Sequence, residues 1–209
     1  MKFDNVIFDF DGTLADTSPG VLGSVRYALE TLGAPVPDEK ILRGFIGPSL
    51  YSSFTGITGL SGEKADEAIA LYRLVYNPRG VYECKLYDGM KDLLASLKKA
   101  GVSVSVASSK PQNALDKVVD FLGIREYFDR VAGADPNDKH DDKASIVAAA
   151  RTRDNAVMIG DSRFDIEAAK TVGIKSIAAG YGFTAKDVLL SLNPDYYADS
   201  VSDIAKILE

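Results

Sequence analysis

From Leu86 onward, short apolar runs alternate with segments whose apolar residues recur at helical spacing. This alternation narrows the possible folds most, because strands separated by helices build a parallel sheet covered by helices on both faces. Five strands are expected: Val6 to Phe10, Val102 to Ala107, Arg130 to Gly133, Ala156 to Ile159 and Ser176 to Ala179. Tyr196 to Ala198 reads as a short strand at one edge. Met90, Leu93, Leu94 and Leu97 mark one helix, Leu115, Val118, Val119 and Leu122 a second, and Ile146 to Ala150 a third. Between the first strand and the rest, residues 17 to 82 are helical in pattern, with Ala65, Ala68, Ile69, Tyr72, Val75 and Tyr76 on one face. The expected architecture is therefore α/β, a doubly wound parallel sheet formed by residues 1–16 and 83–209, interrupted by a helical domain over 17–82.

Composition excludes several functional classes. Twenty-four basic against 30 acidic residues leave a net charge of −6, the wrong sign for a nucleic-acid surface. No apolar stretch approaches the roughly 18 residues of a membrane span, and Asp4 and Asp9 interrupt the start where a signal peptide would be apolar. The expectation is a cytoplasmic protein. Cys84 is the only cysteine, so an internal disulfide and a thiolate metal cluster are both ruled out, and it reads as a buried or incidental thiol. His140 is the only histidine and lies in the polar stretch DPNDKHDDK, which suggests a solvated loop rather than a catalytic base.

In a sheet of this kind, ligands bind beyond the carboxyl ends of the strands. The residues there are Asp9 and Asp11 after the first strand, Ser108 and Ser109 after the second, and Asp161 with Asp165 after the fourth. Asp is a poor strand residue and an unpaired buried charge is costly, so something must reward the run VIFDFDGTLADTS. Asp9 and Asp11 are two apart and project to one side of an extended chain, while Gly12 permits a tight turn that keeps backbone close to a ligand. The alternative makes them solvated turn formers, with Asp16 or Ser18 capping the next helix. VMIGDSRFD repeats the design, an apolar strand ending in acid. Carboxylates about 4 Å apart repel by about 4 kcal/mol per pair at an effective dielectric near 20. A cation would remove that penalty, and an all-oxygen site suits Mg²⁺.

These segments resemble the motifs of the haloacid dehalogenase superfamily of phosphohydrolases, in particular its phosphoglycolate phosphatase-like and nucleotidase-like branch. DFDGTLADTS is similar to the first motif, ASSKP from Ala107 to the second, Lys143 in DDKASIV to the third and GDSRFD from Gly160 to the fourth. The resemblance implies a Mg²⁺-dependent phosphatase acting on a small phosphorylated metabolite, as a monomer or homodimer. It implies that Asp9 attacks phosphorus to form an aspartyl phosphate, and that Asp11 protonates the leaving oxygen and then deprotonates the hydrolytic water. Asp9, the Asp11 carbonyl and Asp161 would hold the metal, with Asp165 in support. The Ser108 hydroxyl, the Ser109 amide and Lys143 would hold the phosphoryl group, next to the Gly12 turn. Lys110 and Lys139 compete with Lys143 for the role of the cation, with Lys139 the runner-up. The insert would be a cap that selects the substrate, with Arg43, Gly47, Arg73 and Arg79 as possible contacts. Tyr72 and Tyr76 suit packing instead.

Other readings compete with this one. Asp11 argues against the dehalogenase reaction, whose enzymes lack an acid at that place, while a sugar-phosphate mutase would share the paired acids. A non-enzymatic phosphoaspartate receiver also gathers acids, a hydroxyl and a lysine, but its phosphoacceptor should end a middle strand. A dinucleotide-binding protein would use GYGFTA from Gly180 with Asp199, yet only ten residues follow Asp199, too few to complete two nucleotide-binding halves. The glycines at 180 and 182 are better read as a loop bordering the site.

Overall fold

A computed structural model describes residues 1–135 and 142–209. His140 and Lys139 lie outside the described residues. The chain divides into two compact units, one made of Met1–Asp16 and Leu86–Glu209, the other of Thr17–Lys85.

In chain order, β1 (Asn5–Phe8) and β2 (Ala15–Asp16) are followed by the helices α1 (Ser18–Thr31), α2 (Glu39–Leu42), α3 (Leu50–Thr58) and α4 (Gly62–Tyr76). After β3 (Lys85–Leu86) come α5 (Met90–Lys99), β4 (Ser103–Pro111), α6 (Gln112–Phe121), β5 (Arg130–Ala134) and α7 (Lys143–Ala150). The chain ends with β6 (Ala156–Gly160), α8 (Arg163–Val172), β7 (Lys175–Ala179), α9 (Lys186–Ser191), β8 (Tyr196–Ala198) and α10 (Val201–Leu208).

The larger unit is built on a six-stranded sheet of order β5-β4-β1-β6-β7-β8, every pair parallel. The chain winds outward from β1 in one direction and then returns to add β6 on the other side, so the strand order reverses between β1 and β6 and opens a crevice beyond their carboxyl ends. Phe8 stands level with Val106 of β4 and Ile159 of β6. Val6–Phe8 of β1 are apolar on both faces because both are covered. Ile7 and Met158 pack with Ile146, Val147 and Ala150 of α7 and with Ala168 and Ala169 of α8. The alternation of side chains turns Val6, Phe8, Val157 and Ile159 to the opposite face, and all four are at most 1% exposed. Tyr196–Ala198 is the edge strand beside β7, as its length suggested.

Two strands differ from the sequence expectation by more than one residue at an end. β1 stops at Phe8, because the chain turns back on itself at Phe10, whose carbonyl accepts from the N–H groups of Leu14 and Ala15 at 3.0 and 3.1 Å. β4 runs on to Pro111, so Ser108 and Ser109 lie within the strand rather than after it. β5 continues to pair there after a shift of register between Ala107 and Pro111.

The smaller unit is helical. Asp38 caps α2 by accepting from the Ile41 N–H at 2.9 Å, and Ser49 caps α3 through the Ser52 N–H at 3.3 Å. The capping position of α1 falls on Thr17 rather than on Asp16 or Ser18, with no capping bond from the Thr17 side chain, and proline in the first turn removes one unpaired donor. Phe45 meets Phe54 edge-on at 4.9 Å, and Tyr72 and Tyr76, both buried, stack at 4.9 Å in keeping with a packing role. Arg43 pairs with Glu39 and Arg79 with Glu83, and both, like Arg73, are exposed. No helix among the described residues is long and apolar enough to cross a membrane.

Candidate active site

Asp9 follows β1 directly, and its backbone N–H donates to the Ile159 carbonyl at 2.8 Å, so the β1–β6 ladder carries one residue past Phe8. That bond aims the chain into the crevice where the strand order reverses. Gly12, with φ of +81°, then closes a turn in which its N–H donates to the Ala15 carbonyl at 2.9 Å. A side chain at Gly12 would overlap the Asp161 carboxylate as well as strain the backbone. Asp161 follows β6, and Asp165 sits in the first turn of α8, where its Oδ2 accepts from the Ser162 N–H at 3.1 Å and the Ser162 hydroxyl at 2.6 Å, closing a capping box.

Oxygens of Asp9, Asp161 and Asp165 lie within 4.8 Å of one another, and all three residues are buried. Lys143, the first residue of α7, reaches across to them: its Nζ lies 2.6 Å from Asp9 Oδ1 and 3.0 Å from Asp165 Oδ1. Of the two candidate cations among the described residues, Lys110 and Lys143, it is Lys143 that lies against Asp9. Lys110, near the end of β4, is also buried, and its Nζ lies 3.0 Å from Asp11 Oδ1. Ser108 is 1% exposed and its hydroxyl oxygen accepts from the Lys110 N–H at 3.2 Å, which leaves the hydroxyl hydrogen to be donated. Ser109 follows it on the half-buried rim.

The electrostatics of this cluster are unbalanced. Among the described residues, four buried carboxylates, at Asp9, Asp11, Asp161 and Asp165, face two buried ammonium groups, at Lys110 and Lys143, a formal excess of two negative charges. Burial, then repulsion from Asp165, pushes the Asp9 carboxyl from 3.8 up to about 7, although Lys143 pulls it back. Burial also pushes Asp161 well above the carboxylate range, helped by Asp9 and Asp165 and opposed by the Phe183 N–H. Lys143 pays for its own burial, but Asp165 and Asp9 outweigh that and raise it above its ordinary value. The donor set is buried, oxygen-only and two charges in excess, which is what a hard divalent cation requires.

Three contacts were not anticipated from sequence. The Thr13 hydroxyl lies 3.4 Å from Asp161 Oδ1, the Phe183 N–H donates to Asp161 Oδ2 at 2.7 Å, and the Tyr181 hydroxyl donates to the Thr13 carbonyl at 3.0 Å. Of these, only GYGFTA carried a signal, the glycine-rich loop read as bordering the site, and a side chain at Gly182 would indeed overlap Asp161. Its proposed dinucleotide partner Asp199 is engaged elsewhere, with Lys186 and Tyr197.

The paired acids, the buried lysine and the helix-capping acid all fall within the segment, residues 6–179, that matches the model of the haloacid dehalogenase-like hydrolases. The chain belongs to that family. Among its curated relatives, "Tyrosine-protein kinase PtkA" of Mycobacterium tuberculosis is 36% identical over 88% of this chain. The chain spans 64% of the length of that mycobacterial relative. A "5'-nucleotidase" of Pseudomonas aeruginosa is 30% identical over the whole chain and 97% of its own length. Among solved structures, a predicted phosphatase from Clostridium acetobutylicum superposes with a TM-score of 0.93 at 33% identity, covering 100% of this chain and 99% of its own.

Proposed function

We propose that the protein is a Mg²⁺-dependent phosphatase of small phosphomonoesters, such as phosphoglycolate or a nucleoside monophosphate, working in the cytoplasm as a monomer or homodimer. The observation that carries this reading is the Asp9 carboxylate at the end of β1, 2.6 Å from a buried ammonium and within 4.8 Å of two further acids.

In this reading Asp9 attacks phosphorus and is phosphorylated, while Asp11 gives its proton to the departing oxygen. Asp11 then takes a proton from the water that attacks the aspartyl phosphate, releasing inorganic phosphate and restoring Asp9. Lys143 and the Ser108 hydroxyl, with the Ser109 amide, hold the phosphoryl oxygens in line with Asp9. Asp9, Asp161 and the Asp11 carbonyl, supported by Asp165, would hold Mg²⁺, which neutralises phosphate charge against the attacking carboxylate.

Phosphate release from a panel of phosphomonoesters, with and without Mg²⁺, tests the reading. Activity without Mg²⁺, or undiminished activity in Asp9→Asn, excludes it. A second reading is favoured by the 36% identity to a relative named as a tyrosine kinase: the aspartyl phosphate is passed to a tyrosine hydroxyl instead of water. Labelled phosphate appearing on a tyrosine peptide rather than free in solution selects it. Phosphate moving between positions of a hexose phosphate selects a mutase.

A further inference from the structure

The turn after β7 touches both acid-bearing strand ends. At one side the Phe183 N–H donates to Asp161 Oδ2 at 2.7 Å, and at the other the Tyr181 hydroxyl donates at 3.0 Å to the Thr13 carbonyl, in the turn that carries Asp9 and Asp11. Between them, Gly182 packs so closely that a methyl group would overlap both the Asp161 side chain and the Gly12 carbonyl. The Tyr181 ring is held edge-on by Tyr87 at 4.8 Å, and the Tyr87 N–H donates to the Leu14 carbonyl at 3.1 Å. The turn contributes no charged group to the cluster. What its contacts fix is the gap between the β1 turn and Asp161.

We propose that Tyr181, Gly182 and Phe183 form a strap that sets the spacing between the Asp9 turn and Asp161, and so makes the site select Mg²⁺ over the larger Ca²⁺. The proposal rests on the cation reading above and assigns its ion preference to residues that do not ligate the ion. Phe183 holds Oδ2 of Asp161 and thereby orients Oδ1, which lies 3.4 Å from the Thr13 hydroxyl. Mg²⁺ demands nearly ideal octahedral geometry at about 2.1 Å, whereas Ca²⁺ accepts irregular shells at about 2.4 Å. A turn pinned at both ends resists the widening that the larger ion needs, as partners behind metal ligands generally do. Tyr181 and Phe183 are positioning residues here, not catalytic ones.

Calorimetric titration of the whole protein with MgCl₂ and separately with CaCl₂ tests this, on the wild type, Tyr181→Phe, Gly182→Ala and Asp161→Asn. Tyr181→Phe keeps the shape and loses one hydrogen bond, so Mg²⁺ binding should weaken about five-fold while Ca²⁺ binding changes less than about two-fold. Gly182→Ala should lower the Mg²⁺ preference further, and if it does not fold, Tyr181→Phe decides alone. An equal loss for both ions in Tyr181→Phe, as a merely structural role would give, overturns the strap, and so does an unchanged preference. If the wild type binds Mg²⁺ no better than Asp161→Asn, the cation reading itself fails and the strap falls with it.

Discussion

Asp9 and Asp161 end adjacent parallel strands of similar design, yet they meet different surroundings. Asp9 faces an ammonium group, Lys143, at 2.6 Å. Asp161 faces neutral donors, the Phe183 N–H at 2.7 Å and the Thr13 hydroxyl at 3.4 Å. Both are buried and both carboxyls are raised, but among the described residues only Asp9 has a cation of the protein's own drawing it back down. In the proposed function the contrast would separate two tasks within one crevice: an acid kept beside a cation that would also hold a phosphoryl group, and an acid whose charge would be met by an ion from outside.

The sharpest way to break this division is Asp9→Asn. If Asp9 is the nucleophile, turnover of p-nitrophenyl phosphate should fall by at least about three orders of magnitude with an unchanged circular dichroism spectrum. A loss no larger than that of Asp161→Asn would erase the distinction between the two acids.

Lys143→Met tests the cation. It leaves Asp9 and Asp165 buried without their shared partner and should lower stability at neutral pH by about 3–5 kcal/mol in urea unfolding, without added metal. A neutral result would mean that the pair at 2.6 Å contributes nothing.

Asp161→Asn tests the other half of the contrast. At about one hundred times its dissociation constant, Mg²⁺ should stabilise the wild type by about 2.7 kcal/mol, read as a rise in melting temperature. The variant should show little or none of that rise.

The pH dependence is gentler and bears on both acids together. Folded Asp9 binds its proton more tightly than the unfolded chain does, with about 7 against 3.8, and Asp161 shifts in the same direction. The stabilising contribution of Asp9 is therefore full below about pH 4 and is lost as pH rises through about 7, and that of Asp161 is lost in the same direction as pH rises. Metal-free protein followed by chemical denaturation should lose stability across that window, and saturating Mg²⁺ should flatten the loss.

The parallel sheet, the helical insert and the acids at 9, 11, 161 and 165 were legible because each is a local signal: apolar runs of strand length, helical spacing, and acids abutting strand ends. Lys143 was preferred to Lys139 and Lys110 because it opens the helix before the strand leading to Asp161, as the family resemblance implies, but no local signal says which acid Lys143 or Lys110 meets. Their pairing with different acids follows from the strand order β4-β1-β6, which sets Lys110 against Asp11 and Lys143 against Asp9 and Asp165. The extension of β4 through Ser108 and Ser109 was likewise hidden, since strand length there depends on a neighbour that shifts register.

The order of residues along the chain decides which segments become strands and helices and where acids stand at their ends, because period and capping act over a few neighbours. Which charge meets which, how far burial raises a carboxyl, and how Thr13 and Phe183 close on Asp161 while Tyr181 closes on the Thr13 carbonyl arise only once segments up to 168 residues apart are packed, since Coulomb forces and hydrogen bonds depend on distance in space.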